Sequence, residues 1–135
     1  MKKFLFFAAF VYCCSIVYAQ TPKEARDLNL KTKTTWVTEK KGKKEVSYKK
    51  LELRFDKDGS LIQEVEFNVK GDVIRNISYQ YQDKRKVGEI YFDKEGKITK
   101  RVEYVLNKKA VSEIRVYDAN NILIRKEQFI YEQQD

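Results

Sequence analysis

The chain contains no histidine, and its two cysteines, Cys13 and Cys14, both fall within the first 14 residues. Without histidine it lacks the commonest general base and transition-metal ligand. Without a later cysteine it also lacks the thiolate partners of most nucleophile–base pairs and structural zinc sites. Proline is nearly absent as well: Pro22 is the only one, and none interrupts the chain from Lys23 to Asp135. Because proline cannot donate to a strand ladder, its absence suits a chain that is almost entirely sheet.

The front end is the one strongly apolar stretch. Met1-Lys2-Lys3 is a short cationic start, Phe4–Val17 is an apolar run of 14 residues, and Val17-Tyr18-Ala19 supplies an A-x-A-like site before Gln20. This reads as a cleavable signal peptide over residues 1–19. An uncleaved membrane anchor is the competing reading, but a spanning helix needs about 20 apolar residues. Lipidation at Cys13 or Cys14 would want small residues just before the cysteine, and Tyr12 stands there instead. Residues 20–135 then form a single domain of 116 residues, enough for one modest core. That domain has no disulfide although export would permit one. The expected location is the periplasm, the cell surface or the medium, as for a bacterial envelope protein, and the processed chain is not expected to be an integral membrane protein.

Lys2 and Lys3 leave with the signal, so 26 of the 28 basic residues remain against 20 acidic ones. Acids and bases alternate along the chain, as on a solvated mixed face. Local excesses occur at Lys40-Lys41-Gly42-Lys43-Lys44 and Lys84-Arg85-Lys86, both at expected turns. The candidate partners for such patches are polyanions, an acidic glycan, lipid headgroups or nucleic acid, with a soluble lysine-rich loop as the favoured competing reading. Export argues against nucleic acid.

Thr21-Pro22-Lys23-Glu24 has the form of a capping box with proline at the first helical position, so a short helix is expected from Pro22 to about Leu28. Strands are expected at Thr32–Glu39, Lys44–Phe55, Ser60–Val69, Val73–Tyr81, Val87–Phe92, Lys97–Leu106, Ala110–Tyr117 and Ile122–Tyr131. In the second, the apolar positions change parity between Tyr48 and Leu51, which predicts a β-bulge near Lys49-Lys50. Asp56-Lys57-Asp58-Gly59 and Asp93-Lys94-Glu95-Gly96 each suit a type I turn closed by a left-handed glycine, and Asp118-Ala119-Asn120-Asn121 repeats the form with asparagine. Lys70-Gly71-Asp72 and Asn107-Lys108-Lys109 mark further reversals. If Asp56 pairs with Ser60, Phe55 faces Leu61, Leu53 faces Gln63 and Leu51 faces Val65. The same rule puts Phe92 with Ile98 and Ile90 with Lys100.

Three segments align: FDKDGSLIQEVEF from Phe55, FDKEGKITKRVEY from Phe92 and YDANNILIRKEQF from Tyr117. Their shared pattern is aromatic-Asp-x-x-Gly/Asn-x-Leu/Ile with an aromatic at the thirteenth position. It resembles YD repeats, the units of the Rhs family of secreted proteins, and the related MORN-variant hairpin repeats of small bacterial exported proteins. The resemblance covers roughly Phe55 to Tyr131. It implies a structural or binding scaffold and carries over no catalytic residue. Three units are too few to enclose a cargo as the long Rhs shells do.

The expected fold is therefore all-β, an antiparallel meander of about eight strands, either an open curled sheet or an up-and-down barrel. One apolar face is expected, needing a cover: closure, a partner, a second copy or lipid. Short turns at both ends and charges on both faces of several strands argue against a lipid-facing barrel. Asp56, Asp58, Asp93 and Glu95 offer oxygen ligands for calcium, but their spacing fits ordinary hairpin turns better. No cofactor or metal is expected, and nothing selects a catalytic pair. The aromatics Trp36, Tyr79, Tyr81, Tyr91 and Tyr104 are the candidate ligand-binding residues, able to stack on a sugar or a lipid, with cross-strand packing as the competing role. The expected function is a non-enzymatic binding or structural adaptor for an envelope macromolecule, with self-association as one outcome. The alternative is a small barrel carrying an apolar ligand.

Overall fold

The computed structural model describes residues 21–108 and 110–132; the expected signal peptide and Lys109 lie outside the described residues. A helix α1 (Pro22–Asp27) is followed by eight strands: β1 (Thr32–Lys41), β2 (Lys44–Phe55), β3 (Leu61–Phe67), β4 (Val73–Gln82), β5 (Arg85–Phe92), β6 (Ile98–Asn107), β7 (Ala110–Asp118) and β8 (Leu123–Gln128). They form one antiparallel sheet in strict sequence order, so the fold is an all-β meander. The sheet is open, with β1 and β8 as its outer strands. The barrel alternative, and with it the enclosed interior a carrier would use, is not formed.

The reason is legible in the side chains. Each of the seven strand pairs carries one register shift. The unpaired residues are Lys50, Ile62, Ile74, Val87, Thr99, Ser112 and Ile124, all on the later strand of the pair, Lys50 in mid-strand and the other six just inside the strand's start. Each such bulge inverts the alternation in the rest of its strand and strengthens the local twist. Apolar residues therefore divide between two faces. One face carries Leu51, Leu53, Ile77, Tyr79, Tyr91, Val102 and Tyr104; the other carries Val65, Ile90, Phe92, Val105 and Tyr117. The first face also holds Glu64, Arg75 and Glu89 near its middle, and enclosing those charges in a barrel would be costly. The expectation of one wholly apolar face is thus corrected.

The bulge near Lys49-Lys50 is where the parity change placed it: Thr35 pairs with Leu51 and Trp36 with Lys49. The register inside the Asp-x-x-Gly hairpins differs from expectation. Phe55 does pair with Leu61 and Phe92 with Ile98, but Leu53 pairs with Glu64, Leu51 with Glu66 and Ile90 with Arg101. The extra residues Ile62 and Thr99 shift everything beyond the turn by one place.

The turns share one construction. Asp56 Oδ1 accepts the amides of Asp58 and Ser60, at 2.9 and 2.8 Å. Asp93 does the same for Glu95 and Lys97, and Asp118 for Asn120 and Ile122. Asn68, not recognised as a repeat member from sequence, holds Lys70 and Asp72 in the same way. Phe67, Phe92 and Tyr117 then stand 25 residues apart, giving a repeat of two strands with an Asx turn at one end and a two-residue turn at the other. Of the carboxylates that suggested calcium ligands, those of Asp56 and Asp93 are engaged with turn amides. Asp118→Ala removes an acceptor from two backbone donors, so a loss of about 1 kcal/mol is expected in urea unfolding.

Few side chains are well buried: Ala25, Leu53, Phe55, Val65 and Ile77 among the apolar ones. Helix α1 lies over the β2–β3 end of the sheet, where Ala25, Leu53 and Phe55 form the core with Leu30, Leu51 and Leu61 against it. Its capping box is complete, with Thr21 N–H donating to Glu24 Oε2 at 2.9 Å and Glu24 N–H to Thr21 Oγ1 at 3.3 Å. The helix seats on Gly59, whose φ is +82° and which lies so close that an added Cβ would stand 2.1 Å from the Pro22 carbonyl oxygen.

Candidate functional site

Four of the five candidate aromatics share one face of the sheet. Tyr79 and Tyr81 lie on β4, Tyr91 on β5 and Tyr104 on β6. The first, third and fourth converge on two carboxylates that sequence reading did not single out. Glu89, on β5 and only 8% exposed, accepts from Tyr91 Oη at 2.6 Å, Tyr104 Oη at 3.0 Å and Lys86 Nζ at 2.6 Å. Glu64, on β3, accepts from Tyr79 Oη at 3.0 Å and from Arg75. Lys86 sits over the rings of Tyr79 and Tyr104, at 5.4 and 5.2 Å from their centroids, and Lys100 over Tyr91 at 3.8 Å. Cations thus already occupy the ring faces a sugar would stack on. Tyr81 stands apart, donating to the Leu61 carbonyl at 3.0 Å. Trp36 is not part of this cluster: it lies on the outer strand β1, 66% exposed, paired with Lys49 on the opposite face.

The electrostatics follow from this geometry. Burial opposes ionisation of Glu89, but the Lys86 ammonium and the two tyrosine hydroxyls outweigh it and hold the carboxyl below the usual range. Glu52 is held low by Lys49 and Arg54, and Glu113 by Arg115, Lys126 and Gln128. Burial first, and the Glu89 hydrogen bond second, push the Tyr104 hydroxyl up to about 12. Tyr79 and Tyr91 are raised for the same kind of reason, burial reinforced by Glu64 and Glu89 respectively. Burial and the Asp56 charge raise Tyr81.

Both signs lead to stability predictions. Depressed carboxylates stabilise the fold fully above the ordinary value of 4.5, and the contribution disappears as pH falls through their lower folded values. Raised tyrosines stabilise fully below 10, and Tyr104 loses its contribution as pH climbs towards about 12. Melting temperature against pH is expected to be level between these limbs and to fall at both ends. Ultraviolet titration is expected to show a group of tyrosines ionising well above 10.

The opposite face carries a second polar network. Glu113, 8% exposed, is met by Arg115, by Lys126 Nζ at 3.1 Å and by Gln128 Nε2 at 3.3 Å. Tyr117 Oη donates to Glu103 at 2.9 Å, and Arg101 lies 5.3 Å from the Tyr117 ring. Beside it, towards the β4–β5 and β6–β7 turns, a groove of about 640 Å³ is lined by Gln80, Gln82, Arg85, Glu103, Lys108 and Arg115 among others. Gly88 lets Gln80 lie close across the strand pair, since a Cβ there would stand 2.6 Å from Gln80 Oε1. Part of the Lys84-Arg85-Lys86 excess therefore contributes to a concave surface, while Lys86 turns to the tyrosine face.

Sequence reading found the tyrosines by type but missed Glu64, Glu89, Gln80 and Arg115, which look like ordinary alternating polar residues until the bulges assign each to a face. Among the described residues no buried side-chain polar atom lacks a partner, no cluster of acids has metal-binding form, and no helix is long and apolar enough to cross a membrane. No family model, curated protein or solved structure matches the chain.

Proposed function

We propose that this chain is an exported, non-enzymatic β-repeat module that binds an envelope macromolecule, and that its ligand is an acidic glycan seated in the groove of Gln80, Gln82, Arg85 and Lys108. The observation that carries the reading is the contrast between the two faces. The tyrosine face is internally satisfied: its hydroxyls donate to Glu64 and Glu89, and lysines cover its rings. The groove is concave and polar, with the amides of Gln80 and Gln82 to read hydroxyl groups and with Arg85 and Lys108, beside Asp83 and Glu103, to meet carboxylates. The 26 basic against 20 acidic residues left once the signal is removed, a net charge of +6, favour an anionic partner. The repeat pattern and the signal-like front end support the scaffold role and export.

Calorimetric titration with a uronic-acid polysaccharide is the direct test. Micromolar-range binding that weakens with salt is expected, reduced at least about tenfold in Arg85→Glu/Lys108→Glu. Binding unchanged in that double variant would place the site elsewhere. An absence of binding to acidic polysaccharide would end the glycan reading.

A further inference from the structure

We infer that the outer edge of β8 is a strand-pairing site for a second copy of this chain, joined antiparallel about a two-fold axis at Lys126. This goes beyond the glycan reading and does not depend on the groove binding anything. The repeat provides the first argument. β8 and the residues after it align with Val73–Tyr81 of β4 and Ile98–Leu106 of β6 at the 25-residue spacing. In those two repeats the next strand covers the outer edge, as β5 and β7; on β8 no strand among the described residues takes that place.

The backbone provides the second. The Phe129 amide donates to the Ser112 carbonyl at 2.9 Å, so in an antiparallel ladder residues 129, 127 and 125 address β7. Lys126 and Gln128 consequently turn their amide and carbonyl groups to the open side. The flanks of this edge are apolar and exposed: Ile122 59%, Leu123 47%, Ile124 61% and Ile130 93%. The opposite edge, β1, is guarded differently, with Lys33, Lys40 and Lys41 along it.

Side-chain complementarity selects the occupant. Place Lys126 opposite Lys126 of the second copy. Arg125 then faces Glu127 and Glu127 faces Arg125, on the face that carries Ile114 and Val116. Arg125 and Glu127 share a face, as antiparallel pairing requires; the bulge at Ile124 puts Leu123 on the face of Tyr117, so the side-chain match is carried by residues 125–127. The two axial ammonium groups are each already held by their own Glu113, at 3.1 Å. The contact is isologous, so it closes at a dimer in which two eight-stranded sheets run on as one.

Sedimentation velocity and disulfide trapping test this. The purified chain is expected to show a concentration-dependent monomer–dimer equilibrium. Glu127→Arg and Arg125→Glu each replace two attractive contacts per dimer by repulsive ones, so each is expected to raise the dimer dissociation constant roughly tenfold or more. The double variant Arg125→Glu/Glu127→Arg is expected to restore it. Lys126→Cys introduces the sole thiol beyond Cys14. Its Cα should lie about 5.5 Å from that of its counterpart, within disulfide reach, so mild oxidation is expected to give covalent dimer. Lys40→Cys, on β1, is expected to give none. A wild-type monomer at every concentration, an open ladder of oligomers, failure of the double variant to restore dimer, or equal trapping at positions 40 and 126 would each overturn the assignment. Circular dichroism of the variants separates loss of pairing from loss of fold.

Discussion

Gly59→Ala is expected to lower stability by about 3 kcal/mol or more, while Gly96→Ala, in the similarly built turn between β5 and β6, costs only about 1 kcal/mol. Both glycines have φ +82°, so both substitutions place an L-residue in the left-handed region. They differ in what lies beyond. Nothing stands within 4 Å of a Cβ at Gly96, whereas at Gly59 it meets the Pro22 carbonyl oxygen at 2.1 Å and the Arg26 amide at 2.8 Å. Both obstructing atoms are backbone, so α1 must lift away, uncovering Ala25, Leu53 and Phe55. Urea unfolding of the two variants measures the difference. Brief trypsin treatment gives a second readout, because Lys23 and Arg26 lie on α1 and should be cleaved early only in Gly59→Ala. Equal costs at the two positions would mean that α1 does not depend on the turn beneath it.

Glu89→Ala is expected to destabilise by about 3 kcal/mol, and Glu89→Gln by about half as much. The carboxylate accepts from three donors at once. Alanine leaves the Tyr91 and Tyr104 hydroxyls without their acceptor on a partly buried surface. Lys86 suffers less because its side chain is 41% exposed and can turn to water. Glutamine keeps one carbonyl acceptor but loses the charge. The spectroscopic consequence is specific: in Glu89→Gln the Tyr104 hydroxyl should ionise at a lower pH than about 12, because the neighbouring negative charge is gone while burial remains. An unchanged alkaline titration would show that the hydroxyls are not held by Glu89. The acid limb should also flatten, since Glu89 is one of the carboxyls held below 4.5.

Much of the architecture is legible in the residues. Pro22 and the Thr21–Glu24 capping box mark α1, the aromatic-Asp-x-x-Gly pattern marks the turns, and the freedom from proline after Pro22 marks continuous sheet. Lys44–Phe55 is expected at its observed limits, because a lysine-rich turn and an aspartate-glycine turn bracket it. Side-chain faces are the harder matter. One unpaired residue reverses inside and outside for the whole of a strand, and only the bulge at Lys50 declares itself by a change of parity in an apolar run. Ile62, Thr99 and Ser112 look ordinary in sequence. The hydroxyls of the latter two bond to the Tyr91 and Val105 carbonyls across the strand pair. Hence the tyrosines stand out by type, while the carboxylates they meet do not. Trp36, a candidate for the same reason as the tyrosines, lies on the other face near an edge.

The meander order has a further consequence. Each strand has its main tertiary contacts with the strands next to it in sequence, and the helical cover is confined to one end. Such a chain behaves as a row of coupled units rather than a single cooperative block. In the monomer, amide protons in β2 and β3, beneath α1, should exchange most slowly, and those of β8 fastest, in a gradient along the sheet. Assembly needs few distant encounters, since each strand meets its partner across a short turn, and refolding should be quick for an all-β chain.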